Sequence, residues 1–286
     1  MTKRRHPKPE LQQLVQTGFD ALYAGDLQAA ARVCSEVLAQ APKMPRAHFL
    51  AGLVALDSGD RDTAEDAFQN TVRYNETHAA AWARLAQLYA TSGRVHMAEG
   101  ALLNAARSQR GNPNTLDLIG TVFRLAGNLE ASLEWHTRAV AAGPNHVPFM
   151  INLANAHTYC GDPDEARKLL DRCVQQEPHH AQAHWLLSRT GTASSRAHIE
   201  QMRKLEEKVE PGADQAWFNF AIGKECEDLG DWAGAFKGWA AGALARRKLV
   251  HWDEDQDVEL FRVLEETFTP AWLAQNSGEC FDSGPV

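Results

Sequence analysis

The sequence contains no apolar run near the roughly eighteen residues that a membrane-spanning helix needs. Its basic, proline-containing start (Lys3, Arg4, Arg5, His6, Pro7, Lys8, Pro9) is followed by no apolar stretch of the kind a secretory leader carries. Residues 1–10 are therefore expected to form a short disordered arm. The five cysteines are odd in number and form no C-x-x-C pair, which fits a reducing cytoplasm better than a disulfide framework or a zinc site. Positive charge is in deficit, with 29 Lys and Arg against 37 Asp and Glu. The net charge of -8 argues against a nucleic-acid partner, which a basic face would attract. Neither a Ser–His–Asp order nor a glycine-rich phosphate loop is present, so the chain offers no visible catalytic site and no cofactor site.

What the chain does have is a beat. Gly25, Gly59, Gly93, Gly127 and Gly161 stand 34 residues apart without a slip. Aligning on them gives five units, 11–44, 45–78, 79–112, 113–146 and 147–180. Each glycine sits where a first helix should close, since a left-handed residue there costs least without a side chain. Five residues on comes a small residue (Ala30, Ala64, Ala98, Ser132, Ala166), and seven before stands Gly18, Gly52, Ala86, Gly120 or Ala154. These two small positions are expected to meet, letting the two helices of a unit approach closely. Pro42, Pro144 and Pro178 end three of the second helices, where proline cannot continue a helix.

A helix–turn–helix unit of this length, repeated five times, resembles the tetratricopeptide repeat (TPR) family over residues 11–180. The resemblance implies an all-α fold, a right-handed TPR superhelix of antiparallel helix pairs. In such a solenoid each unit buries its apolar face only on its neighbours. After His180 the register fails: 181–214 opens like a unit (Ala183, Trp185, Leu187) but its second helix is highly charged. Residues 215–249 restore the pattern with Phe220, Gly223, Gly230, Ala235 and Trp239. A further helix is expected over 250–275, with Val258, Phe261, Leu264 and Phe268 at helical spacing. The remainder, 276–286, is a small, polar tail.

In the resembled fold the first helix of each pair lines a concave groove. The groove-facing positions of the first two units are apolar (Val15, Phe19, Leu22, Phe49, Leu53, Leu56), and those of later units are polar. The candidate peptide-binding residues are Phe49, Arg84, Gln87, Asp117, Thr121, Arg124, Asn152 and Asn155. Asn152-Leu153-Ala154-Asn155 is similar to the asparagine-bearing helices of protein O-GlcNAc transferases, whose amides grip a peptide backbone. An amide donates and accepts at once, so it suits any sequence; the alternative is that these asparagines bond only within the stack. A chaperone-tail carboxylate clamp would need lysines beside Arg84 and Arg124, and these are missing. His180 and His184 are spaced as metal ligands sometimes are, yet nothing completes a tetrahedron, so a polar helix start is expected there. Cys34, Cys173 and Cys226 fall at inward positions as small hydrophobes.

From about Ala193 the chain looks like the connecting region of bacterial TPR–sulfotransferase fusions. The matching residues are His198-Ile199, Met202, Ala221-Ile222-Gly223-Lys224, Asp228-Leu229-Gly230-Asp231, Ala235-Phe236, Gly242, Arg246-Arg247 and Phe268-Thr269-Pro270. The resemblance implies a partner- or substrate-holding half of a sulfotransferase using 3′-phosphoadenylyl sulfate, with the catalytic domain outside this chain. The alternative is a free-standing adaptor that scaffolds a complex. Expected partners are a protein or peptide in the groove, with a homodimer through the apolar first units as a further possibility.

Overall fold

The computed structural model describes residues 9–250 and 252–276. Sixteen helices and no strand occur among the described residues, an all-α fold. The basic arm falls outside them up to Lys8, whereas Pro9 and Glu10 already belong to the first helix. Cys280 and the tail from residue 277 also lie outside. The chain divides into two compact units, one ending at Ser194 and one starting at Ser195, a boundary inside the stretch 181–214.

The first unit stacks helix pairs: α1 (Pro9–Tyr23) with α2 (Leu27–Gln40), α3 (Pro45–Asp57) with α4 (Arg61–Tyr74), and α5 (Ala79–Thr91) with α6 (Val95–Ser108). Then come α7 (Pro113–Leu125) with α8 (Leu129–Ala142), α9 (Val147–Tyr159) with α10 (Pro163–Gln176), and the short α11 (Ala181–Ser188). One device makes every tight turn between partners. Each of the five glycines takes φ between 74° and 82°, the left-handed conformation expected of it. The next residue's N–H returns to a carbonyl five residues back, as in Asp26 to Ala21 and Asp60 to Ala55, both 2.9 Å. That same residue then caps the second helix: Asp26, Asp60, Asn128 and Asp162 accept from backbone N–H groups three residues on. A Gly-Asx pair thus ends one helix and starts the next in four of the five turns; in the third, Arg94 follows Gly93 and its side chain makes no cap.

At two of the small positions of the first helices the nearest neighbour is a large side chain of the second helix, rather than the small residue expected from sequence. A methyl group on Gly52 would lie 2.5 Å from the ring of Phe68, and one on Gly120 would lie 2.9 Å from His136. Phe68 and His136 share the same position in their units, sixteen residues after the glycine they cover. Phe68 is fully buried in an alanine-rich core with Leu85, Ile119 and Trp135. A second recurring contact joins three of the repeats to the connector before them. His48 Nε2, Trp82 Nε1 and His184 Nε2 lie 2.8, 2.8 and 2.9 Å from the carbonyls of Pro42, Glu76 and Pro178. A carbonyl only accepts, so each ring nitrogen is the donor.

In the second unit, α12 (Ala197–Glu206) packs on α13 (Ala213–Asp228) through Ile199, Met202 and Leu205. α13 pairs with α14 (Trp232–Arg247) across glycines, Gly238 lying so close that a methyl group on it would sit 2.7 Å from Gly223 Cα. Gly230 (φ 73°) and the capping Asp231 repeat the turn of the first unit. α15 (Glu254–Thr267) and α16 (Pro270–Asn276) bury none of their residues.

Candidate binding groove

First helices position the groove. A cavity of about 620 Å³ is lined by Leu22 and Tyr23 of α1, Phe49, Leu53 and Asp57 of α3, Arg84 and Gln87 of α5, and Asp117 and Thr121 of α7. On α3, α5 and α7, helical spacing of three and four residues brings these side chains to one face. Five of the eight candidate residues, Phe49, Arg84, Gln87, Asp117 and Thr121, line this one cavity. Arg124 and Asn155 are half-buried and do not line it.

The apolar surface expected on the first two repeats is open only in part, where Leu22, Phe49 and Leu53 line the cavity. Val15, Phe19 and Leu22 are 0%, 8% and 8% exposed, packed with Leu50, Val54 and the half-buried Phe49 and Leu53. Tyr23 provides the apolar rim instead, at 79% exposure. The cavity is therefore mixed, with an aromatic side formed by Tyr23 and Phe49 and a polar side formed by α5 and α7.

Two charged groups in the cavity are satisfied to different degrees. Asp117 accepts from the His136 ring Nδ1 at 2.9 Å and from Asn152 Nδ2 at 2.9 and 3.1 Å. His136 is almost fully buried at a position that carries Cys34, Phe68, Leu102 or Leu170 in the other units. Asn152, a predicted peptide contact, has its amide nitrogen turned to Asp117, which orients the side chain and engages part of its donor capacity. Arg84 is the opposite case. Its Nη1 donates to the neutral Gln87 Oε1 at 3.0 Å, and no carboxylate of the described residues lies within ion-pair distance. Burial holds the Arg84 guanidinium below its ordinary pKa, opposed only in part by Asp57 and Tyr23. A half-buried cation with a neutral partner stands ready for an anionic group from a ligand.

Elsewhere the predicted sites resolve into structural roles. His180 caps α11, its Nδ1 accepting from Ala183 N–H at 3.3 Å. Burial pushes the Cys34 and Cys173 thiols up to about 11, which makes them poor nucleophiles. No helix of the described residues is long and apolar enough to cross a membrane.

Family models described as tetratricopeptide repeat match residues 17–60 and 50–114, and 123–190, together more than half of the chain. No curated protein sequence matches it. Among solved structures, a thermophilic TPR protein of Thermus thermophilus aligns with TM-score 0.53 at 18% identity, covering 63% of this chain and 98% of that one. Pseudomonas aeruginosa pilF aligns with TM-score 0.55 at 15% identity, covering 77% and 97%. A chain of the APC/C hetero-tetramer Cut9–Hcn1 aligns with TM-score 0.57 at 13% identity, covering 81% and 42%. At these identities the likeness is one of fold.

Proposed function

We propose that this chain, which belongs to the tetratricopeptide repeat family, holds an extended protein segment in the groove of its first unit. The segment places a carboxylate on Arg84 and an apolar side chain against Tyr23 and Phe49. The observation that carries this reading is the half-buried guanidinium of Arg84, with only Gln87 as a bonded partner among the described residues. Asp117 does not compete for it, being held by His136 and Asn152. Gln87 and Thr121 flank the site with groups able to bond the segment's backbone. Screening a random peptide library against the full chain and against Arg84→Gln tests the reading. Enrichment of Asp or Glu beside a large apolar residue, lost in Arg84→Gln, is expected. The same enrichment in both proteins would rule it out.

The junction residues from Ala193 to Pro270 support a narrower setting, in which this groove presents an acceptor to a sulfotransferase domain. There, in-line transfer from 3′-phosphoadenylyl sulfate would occur outside this chain, and the groove would contribute positioning. The reading frame that follows Val286 tests it: a P-R-S-G-T-T loop after a strand supports the fusion, and a stop codon supports a free adaptor. The free thiols of Cys34, Cys160, Cys173 and Cys226 support a cytoplasmic location for either.

A further inference from the structure

The outer face of α14 carries an apolar stripe that the outer faces of α4 and α10 lack. α4 presents Arg61, Asp62, Asp66 and Arg73 to solvent, and α10 presents Asp164, Arg167, Lys168 and Arg172. On α14 the corresponding stripe is Trp232, Phe236, Ala240 and Leu244, one residue per turn, all exposed. Trp232 and Phe236 are 69% and 75% exposed, although both stand on a helix whose other face is packed. The outer face of a soluble helix is normally polar, and this one is the reverse.

A matching stripe lies on the next helix of the same chain. α15 carries Val258, Phe261, Leu264 and Phe268 at helical spacing, every one exposed. The two faces complement each other in charge as well. The last turn of α14 and the residue after it bring Arg246, Arg247 and Lys248, and the first turn of α15 brings Glu254, Asp255 and Asp257. Packed antiparallel, the acidic start of α15 lies over the basic end of α14. Within one chain this does not happen. Trp252 donates its indole N–H to Asp257 at 2.7 Å and sits under the Arg247 guanidinium, and α15 leads off from there with no residue buried.

We propose that the occupant of each stripe is a second copy of this chain, with α15 of one copy seated on α14 of the other. A two-fold exchange of this kind covers all four stripes at once and closes, as an isologous contact must. Trp232, Phe236, Phe261 and Phe268 from both copies make eight aromatic side chains. At about 150–250 Å² each, discounted by roughly a third for area already covered, they bury on the order of 1,000 Å². The leucines and valines alongside bring the contact into the range of roughly 1,200–2,000 Å² that stable interfaces occupy. This dimer face is distinct from the groove and does not depend on what the groove holds.

Sedimentation velocity on the full chain across the micromolar range tests the exchange. The expected result is a dimer that Phe236→Glu and Phe261→Glu each convert to a monomer with unchanged helix content. Both residues are exposed, so neither substitution removes a core contact. Leu103→Glu, on the exposed face of α6, is the control and leaves the dimer intact. A native chain that stays monomeric, or a dimer that survives either substitution or is lost in the control, overturns the proposal. A monomer whose melting temperature falls in Phe261→Glu would mark α15 folding back on its own α14, and overturns it equally.

Discussion

His136, almost fully buried in α8, donates its ring Nδ1–H to Asp117 on the groove side of α7 at 2.9 Å. A core histidine thereby holds a groove carboxylate in place. Asp117→Ala leaves that donor buried without an acceptor, a loss of about 1–3 kcal/mol. His136→Leu places in unit four the residue that units three and five carry there, and costs less. The double substitution recovers part of the Asp117→Ala loss, because the buried ring donor is gone and only the half-buried Asn152 amide has lost its acceptor. Urea denaturation of the four proteins measures this coupling.

The glycines divide into two kinds that fail for different reasons. Gly52→Ala forces a methyl group into the Phe68 ring and costs about 1–3 kcal/mol through overpacking. Gly59→Ala meets no atom within 4 Å, and costs about 1–2 kcal/mol through its φ of 79°. Adding Phe68→Leu relieves the first and leaves the second unchanged, as thermal melts of the single and double variants would record.

His78 caps α5 by accepting the Ala81 N–H on its ring Nδ1 at 3.2 Å, a role open only to the neutral ring. Burial lowers its pKa, and Arg46 adds to the effect. The unfolded chain therefore binds this proton more readily than the folded one. Stability from this group is complete above the unfolded value of about 6.5 and is lost as pH falls toward the lowered one. Asn keeps the cap without titrating. The stability difference between native protein and His78→Asn is expected to be constant above pH 7, and to move against the native protein below about pH 6.5.

Thiol reactivity follows burial. Cys34 and Cys173, with pKa values near 11, are expected to resist alkylation in the native state, whereas the exposed Cys160 reacts first. Mass-spectrometric mapping after brief iodoacetamide treatment reads the order. Modification of Cys173 ahead of Cys160 would mean that α10 opens more readily than its packing allows.

The repeat was legible because its key residues act locally. A left-handed φ at Gly25 or Gly161 excludes side chains whatever surrounds it, so the period shows in sequence alone. The capping Asx that follows was equally local and readable as a Gly-Asp or Gly-Asn step. What was not legible depends on neighbours. Phe19 sits at a groove-facing position, yet the next unit buries it with Leu50 and Val54. The small residue at Gly52 was visible, but not that Phe68 fills the hole it leaves. Asp117 and His136 each break the apolar pattern of their positions in the same unit. Two exceptions nineteen residues apart were the available signal for their bond. For α15 the spacing of Phe261 and Leu264 gave an apolar face but said nothing of what covers it.

Arg84 carries the proposed function, and calorimetric titration with paired peptides tests its role most directly. A library-selected peptide carrying one Glu beside an apolar residue is compared with its Gln analogue, each against native protein and Arg84→Gln. The native groove is expected to prefer Glu by about ten- to a hundredfold, as a charge-assisted hydrogen bond provides. Arg84→Gln should bind the two peptides alike. Equal binding of both peptides by the native protein, or a Glu preference that survives in Arg84→Gln, would contradict that role.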